Sequence, residues 1–343
     1  GKVPLRYRGG EVMETPSSAS PDLIFALRRV TERAACAAFN WIGRGDAGDG
    51  GNAALEAMRT ALSEIDLDAV VVIGEATAGE APQPQRGERL GRPGAAFKAD
   101  IAVDPVEGTS YLVRGLTNAL AVLAVAPRGA MMDPGPAFYM EKFVAAAPAR
   151  GKIDPSWPTA KKLEELAKVL DKDIYDLNIF VLEKPRHRDL VNEILEAGAR
   201  VAMYPAGDVA GALMAAVPGS SIDALMGTGG TPEGIMSACA VRAIGGEFLA
   251  RFDPQLQTET QAVQDAGIDT QRWYERNELI TSDGVFFCAT GITTGLMLEG
   301  VERKRSHYKV QTMMITGATG ERQIMTSYIP TDRLASVAAR DVA

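Results

Sequence analysis

The stretch LNIFVLEKPRHRDLVNEILEAGARVAMYPAGDVAGALMAAVPGSSIDALM, residues 177–226, decides the fold. Its apolar runs at Leu177–Leu182, Arg200–Tyr204 and Ile222–Met226 have strand length. The intervening Asp189–Ala197 and Asp208–Val217 have helical spacing. A helix at Thr159–Leu170, with Leu163, Leu166 and Leu170 inward, precedes the run, and another is expected from about Pro232. Strand and helix alternating at this pace predict a parallel, doubly wound α/β sheet.

Toward the N-terminus the rhythm differs. Asp22–Trp41 predicts a helix with Leu23, Leu27, Val30 and Ala34 on one face, and a Gly/Asp-rich loop, Gly43–Gly51, follows it. A second helix carries Leu55, Met58, Leu62 and Ile65 as an apolar stripe. A short strand, Val70–Ile73, ends at Gly74-Glu75, and a polar loop, Ala76–Gly94, leads to a strand at Ile101–Val103 that ends in Asp104-Pro-Val-Glu-Gly-Thr109. Asn118–Val125 and Phe138–Ala145 read as further strands of the same sheet, an α+β pattern. Val285–Ala289 is a later strand, and the tail from Lys309 has strand-like runs that can rejoin the first sheet. The expected class is therefore α/β, with an α+β N-terminal part and an α/β C-terminal part. The expected division is a flexible leader over 1–20, one domain over 21–150 with about 305–343, and a second over 151–304.

Composition narrows the chemistry. At about 150 residues per domain, 343 residues suggest two domains. A net charge of −8 argues against a chain built to coat nucleic acid or an anionic membrane, and no apolar run reaches the ~20 residues of a membrane span. Cys36, Cys239 and Cys288 are odd in number and far apart with no CxxC, which excludes a disulfide framework and a structural zinc site and suits a reducing, cytoplasmic setting. Residues 1–20 lack the apolar core of a signal peptide. His187 and His307 are the only histidines, so a metal here is held by carboxylates, which suits Mg²⁺ or Mn²⁺.

Ligands of open α/β sheets collect at the carboxyl ends of strands. Gly74-Glu75, Asp104-x-x-Glu107-Gly-Thr109, Lys184-Pro-Arg186 and Gly227–Gly234 sit at such ends. Each alone is weak. A strand-end Glu is more often a solvated carboxylate than a ligand, a basic pair is usually surface, and Gly227–Gly234 matches neither a dinucleotide nor a Walker A fingerprint. Together they are stronger: Glu75, Asp104, Glu107 and Glu233 are acids that cluster only with cations among them. Divalent ions there could hold a phosphate oxygen and activate water. The N–H groups opening the helix after Gly230-Thr231-Pro232 suit an anion, and Thr109 adds a hydroxyl.

The DPxxGT pattern resembles the metal-binding signature of lithium-sensitive sugar and inositol phosphatases. Across Leu23–Ile315 the chain resembles class II fructose-1,6-bisphosphatases, the family that includes bacterial bifunctional fructose-1,6-/sedoheptulose-1,7-bisphosphatases. The resemblance rests on RVTERAA (29–35), WIGRGD (41–46), AVDPVEGTS (102–110), GLTNALAVLAV (115–125), YMEK (139–142), KPRH (184–187), GGTPEG (229–234) and ATGIT (289–293). It implies a layered α-β-α-β-α sugar-phosphatase fold, a dimer or tetramer, and metal-assisted hydrolysis of a 1-phosphate by in-line attack of water. By the same resemblance Glu75, Asp104, Glu107 and Glu233 are metal ligands, and Asp104, Glu107 and Thr109 are catalytic, with Thr109 orienting the water. Gly108, Thr109, Tyr139, Lys184, Pro185, Arg186, Gly207, Asp208 and Gly230 contact the sugar phosphate. Lys184 and Arg186 would grip the phosphate left behind, Arg bidentately and Lys as a point charge.

Departures concentrate at the metal and sugar motifs. The family's GRGDKNxAD reads GRGDAGDGG here, with Ala47 for the Lys and Gly51 for a ligand Asp; Asp49 is the carboxylate that could compensate. The loop GEGExDEAPM reads GEATAGEAPQ, keeping Glu75 and Glu80 but placing Thr77 and Gly79 at acidic positions. PDGD becomes Pro205-Ala206-Gly207-Asp208, and GDLL becomes Gly295-Leu296-Met297-Leu298. The pattern fits a metal-dependent phosphatase of fructose 1,6-bisphosphate, sedoheptulose 1,7-bisphosphate or a related sugar phosphate. It also fits a phosphatase for a longer heptose or octose bisphosphate, or a non-catalytic sugar-phosphate-binding relative.

Overall fold

The computed structural model describes residues 6–8, 11–13, 19–73 and 83–338. The chain divides into two compact units, Gly1–Ala130 with Ser282–Ala343, and Met131–Thr281. Within the expected leader, β1 (Arg6–Arg8) and β2 (Glu11–Met13) pair antiparallel, and the rest through residue 18 lies outside the described residues.

The first unit begins with α1 (Pro21–Phe39), which starts where Ser20 accepts the N–H of Leu23 and Pro21 presets the first helical φ. α2 (Ala47–Ser63) follows, capped by Asp46, whose carboxylate accepts the N–H of Asp49 at 3.0 Å. The Gly/Asp-rich segment expected as a loop through Gly51 is therefore helical from Ala47, because the Asp46 cap outweighs the glycines. β3 (Asp68–Val71), β4 (Arg89–Gly91), β5 (Lys98–Glu107), α3 (Thr109–Arg114) and β6 (Leu120–Pro127) come next.

The chain then builds the second unit from β7 (Tyr139–Ala145), α4 (Thr159–Leu170), β8 (Asn178–Leu182), α5 (Arg188–Glu196), β9 (Arg200–Tyr204) and α6 (Asp208–Ala216). β10 (Ala224–Gly230), α7 (Thr231–Ile244), β11 (Glu247–Phe252), α8 (Gln257–Asp265), β12 (Trp273–Glu275) and α9 (Arg276–Leu279) complete it. On return to the first unit, β13 (Phe286–Gly291), β14 (Glu302–Arg303), β15 (His307–Thr316), β16 (Glu321–Pro330) and α10 (Thr331–Ala338) follow.

Among the described residues the first unit holds an eight-stranded sheet in the order β14-β15-β13-β6-β5-β3-β4, with β16 paired to β15. The tail thus rejoins the first sheet. Leu27, Val30, Ala34 and Ala38 of α1 are buried, and its Thr31 joins a buried hydroxyl chain: Thr290 Oγ1 donates to Thr31 Oγ1 at 2.8 Å and lies 2.7 Å from Thr312 Oγ1. That chain ties α1 to β13 and β15.

The second sheet runs β12-β11-β7-β10-β8-β9. β8, β9 and β10 are parallel, but β7 is antiparallel to both β10 and β11, and β12 is antiparallel to β11. The expected all-parallel sheet is therefore mixed. The cause is β7, expected in the first sheet and found in the middle of the second. Its buried side chains on both faces are equally compatible with either sheet, so local pattern does not choose its partner. Leu163 and Leu166 of α4 and Ile194 of α5 pack with Phe143, Ile179, Val181 and Met226. On the other face of β8, Phe180 packs so tightly against α6 that a Cβ on Gly211 would lie 2.7 Å from its ring.

Candidate active site

In the first unit the chemistry gathers at the end of β5. The segment expected beyond that strand is part of it: β5 continues through Glu107. Asp104 pairs with Val122 and Glu107 with Leu120, so three steps on β5 oppose two on β6. Residues three apart on a regular strand point to opposite faces; the register shift between Asp104 and Glu107, a stretch in which Pro105 cannot donate to a ladder, turns the two to the same face. They are 3% and 2% exposed. Gly108 then takes φ 82°, where a Cβ would strike the Tyr111 ring, and Thr109 opens α3 with its hydroxyl 3.4 Å from the Val106 carbonyl.

Two carboxyl groups buried on one face offer hard oxygens of the kind that suits a divalent cation. Glu75 and the altered acidic loop lie outside the described residues. Asp49 is exposed in the first turn of α2, whereas Gly51 is buried. Two helical residues span about 200°, so Asp49 lies on the opposite side of α2 from the position whose carboxylate it would replace. Leu296, at another position of lost charge, is exposed, and its N–H is held by Asn118 Oδ1 at 2.7 Å.

In the second unit, the carboxyl ends of β8, β9 and β10 and the start of the antiparallel β7 share one edge of the sheet, with Gly230 directly opposite Tyr139. This edge collects Lys184, Pro185 and Arg186 after β8, Gly207 and Asp208 after β9, and Gly230 and Glu233 at the β10–α7 junction. Arg186 Nε and Nη2 donate to the Thr228 carbonyl at 3.0 and 2.8 Å, and its guanidinium stands 5.3 Å from the Tyr139 ring centre. Lys184 is exposed. Gly207 (φ 87°) turns the chain into α6, whose first residue, Asp208, is buried. Its carboxylate receives the buried Lys142 ammonium at 2.7 Å, and the same Nζ donates to the Gly230 carbonyl at 2.8 Å. Glu233, in the first turn of α7, folds back over Gly230, where a Cβ would collide with its Oε2. Glu259 accepts the N–H groups of Phe138 and Tyr139 at 2.6 and 2.8 Å, fixing the start of β7.

A sequence model of the family described as "Bacterial fructose-1,6-bisphosphatase, glpX-encoded" matches residues 21–329. The chain belongs to this family. It is 39% identical over 309 residues to Fructose-1,6-bisphosphatase 1 class 2 of Escherichia coli strain K12, covering 86% of this chain and 91% of that protein. Fructose-1,6-bisphosphatase class 2 of Shigella flexneri is similar to the same extent, 39% over 309 residues.

As a class II fructose-1,6-bisphosphatase homologue, the chain brings together Asp104, Glu107, Gly108 and Thr109 in one unit. It brings together Tyr139, Lys184, Pro185, Arg186, Gly207, Asp208, Gly230 and Glu233 in the other. Among the described residues no three His, Cys, Asp or Glu side chains form a metal cluster. Sequence reasoning missed Lys142, His187 as a structural partner, and Glu259. For Lys142 a signal existed, since a lysine in the middle of an apolar strand must find a charge partner. The partners of Glu259 are backbone amides, which no residue pattern encodes. The cysteines are free and buried, and burial pushes the Cys36 and Cys288 thiols up to about 12, so neither is a nucleophile at neutral pH. A groove of about 790 Å³ on the first unit, bordered by Arg29, Arg33, Asn40 and Tyr308, contains none of the expected site residues.

Proposed function

We propose that this chain is a divalent-metal-dependent sugar bisphosphate phosphatase that releases the 1-phosphate of fructose 1,6-bisphosphate, sedoheptulose 1,7-bisphosphate or a related sugar. The observation that carries the reading is the Asp104–Glu107 pair, buried on one face of β5 by the register shift between them. Family membership over residues 21–329 supplies the reaction class.

Asp104 and Glu107, with Glu75 and Glu233, are the residues that would hold Mg²⁺ or Mn²⁺. Such an ion, when bound, supplies Lewis-acid polarisation of a phosphoryl oxygen and lowers the pKa of water. Thr109, fixed at the start of α3 by the turn at Gly108, orients the attacking water through its hydroxyl. Hydrolysis forms a bond from the water oxygen to phosphorus and breaks the bond from phosphorus to the sugar oxygen, which leaves with a proton. Arg186 and Lys184 hold the second phosphate. Tyr139, Asp208 and Gly230 border the sugar, the last two tied together by Lys142. The domain roles follow: the first unit carries the metal-binding Asp104 and Glu107 with Thr109, and the second carries the sugar-phosphate contacts together with Glu233. A cytoplasmic location and a dimer or tetramer belong to the same reading. No helix among the described residues is long and apolar enough to cross a membrane.

Ala206 and Leu296, which stand where the family carries carboxylates, fit a changed substrate, a reduced metal complement or lost catalysis. Phosphate release across six-, seven- and eight-carbon sugar bisphosphates, with Mg²⁺ and with Mn²⁺, tests the proposal and ranks the sugars. Asp104→Asn keeps the shape and removes a ligand charge, so release should fall at least ~10²-fold. Absence of release from every sugar with either ion would establish the non-catalytic reading, and full activity in Asp104→Asn would remove the β5 carboxylates from the mechanism.

A further inference from the structure

Three side chains close on one residue, Thr228, near the end of β10. The Thr228 N–H donates to His187 Nε2 at 2.8 Å, and the Thr228 carbonyl accepts from Arg186 Nε and Nη2. The Thr228 hydroxyl donates to Asp253 Oδ2 at 2.5 Å. His187 Nδ1 lies 2.7 Å from the Leu182 carbonyl at the end of β8. Because Nε2 accepts an amide proton, the imidazole proton sits on Nδ1 and donates to Leu182, which defines one neutral tautomer. Gly227 takes φ 120°, and a Cβ there would lie 2.7 Å from Nε2. The glycine-rich segment before α7 is thus the space that the imidazole uses.

The consequence falls on Arg186. Of the five guanidinium N–H groups, two end on the Thr228 carbonyl, which sets the plane and direction of the remaining edge. That carbonyl belongs to the peptide that follows the Thr228 Cα, and His187 pins the peptide that precedes it to the end of β8, so Thr228 is held from both sides. We infer that His187 is a positioning residue for phosphate binding: it fixes Thr228 from its N–H side and so aims Arg186, which is anchored on the carbonyl of the same residue. The inference rests on the proposed reading in which Arg186 holds the second phosphate. His187 contacts neither sugar nor reacting atoms in this role.

The role carries a pH signature. Burial pushes the His187 pKa below its ordinary value; the charged groups facing the ring are Arg186, which pushes it the same way, and Asp253, which opposes. A protonated ring would direct N–H at the Thr228 N–H, and the clamp would open. A side chain that merely filled space would show no such dependence.

KM and kcat for fructose 1,6-bisphosphate, and the calorimetric Kd for inorganic phosphate, are measured for the full chain and for His187→Ala, His187→Gln and Arg186→Ala. Loss of one charge-orienting hydrogen bond should raise KM about tenfold in His187→Ala, with kcat within about threefold. His187→Gln, whose amide oxygen can accept the Thr228 N–H, should recover most of the affinity. As pH falls from about 8 to 5.5, KM of the unmodified chain should rise more than that of His187→Gln, the difference cancelling protonation of the substrate phosphate. Unchanged KM and phosphate affinity in His187→Ala, or identical pH profiles for the unmodified chain and His187→Gln, would overturn the inference. If the unmodified chain releases no phosphate, the phosphatase reading fails by itself. The calorimetry then still decides: weaker phosphate binding in both His187→Ala and Arg186→Ala supports the role of His187, and weakening in Arg186→Ala alone refutes it.

Discussion

Replacing Lys142 by Met should destabilise the Met131–Thr281 unit more than any removal of a surface charge. Lys142 Nζ bridges Asp208 Oδ2 at 2.7 Å and the Gly230 carbonyl at 2.8 Å, and both partners of the ion pair are almost wholly enclosed. Met retains the apolar stem but leaves the Asp208 carboxylate buried beside no ammonium. Breaking a buried pair from one side costs about 3–5 kcal/mol, and the bond to Gly230 shares the same Nζ and does not add in full. At an m-value of about 2 kcal/mol/M this is a fall of about 1.5–2.5 M in the urea midpoint. Trp157 and Trp273 lie in this unit and Trp41 in the other, so fluorescence in a Trp41→Phe background reports the unit selectively. Asp208→Asn in the Lys142→Met chain removes the stranded charge and should recover part of the loss, with a coupling energy of about 2 kcal/mol or more. KM for the bisphosphate should rise in both single variants, because Asp208 and Gly230 lose their common anchor. A midpoint shift under ~0.3 M, or a coupling within ~0.5 kcal/mol of zero, would refute the argument.

Three further outcomes are expected. The Lys98 ammonium, then the Gly94 N–H and Arg128, hold the Asp68 carboxyl well below the usual carboxylate range against the opposing effect of desolvation. Its stabilisation is therefore complete above the unfolded pKa of about 4 and fades as pH falls through the lower folded value, so the urea-midpoint gap between the unmodified chain and Asp68→Asn, read by Trp41, should be constant above about pH 5 and narrow below it. Gly230→Ala places a methyl where the flexible Glu233 carboxylate lies, so the thermal midpoint should hold while the cation concentration for half-activation rises; an unchanged activation curve would separate Glu233 from cation binding. Gly51→Asp should lower that concentration, because ligand number and charge set cation affinity, whereas Asp49→Ala, on the exposed side of α2, should leave it where it is.

The composition and the local periodicities determined the α/β class and most of the element positions. A strand such as Arg200–Tyr204 was legible to the residue because its neighbours in sequence create its pattern. The motif Asp104-Pro-Val-Glu-Gly-Thr109 was legible as acid chemistry because residue types alone carry charge and hydroxyl. Tertiary structure decided what depends on partners distant in sequence. β7 carries apolar residues on both faces and joins the second sheet because β10 and β11 offer it hydrogen-bonding edges, a choice invisible within its seven residues. The common face of Asp104 and Glu107 required the register shift against β6, since their spacing alone predicts opposite faces. Lys142 and Asp208 stand 66 positions apart, and His187 and Thr228 stand 41 apart. A charge or a proton finds its partner through space, so the sequence determined which groups need partners and the fold alone decided which ones they have.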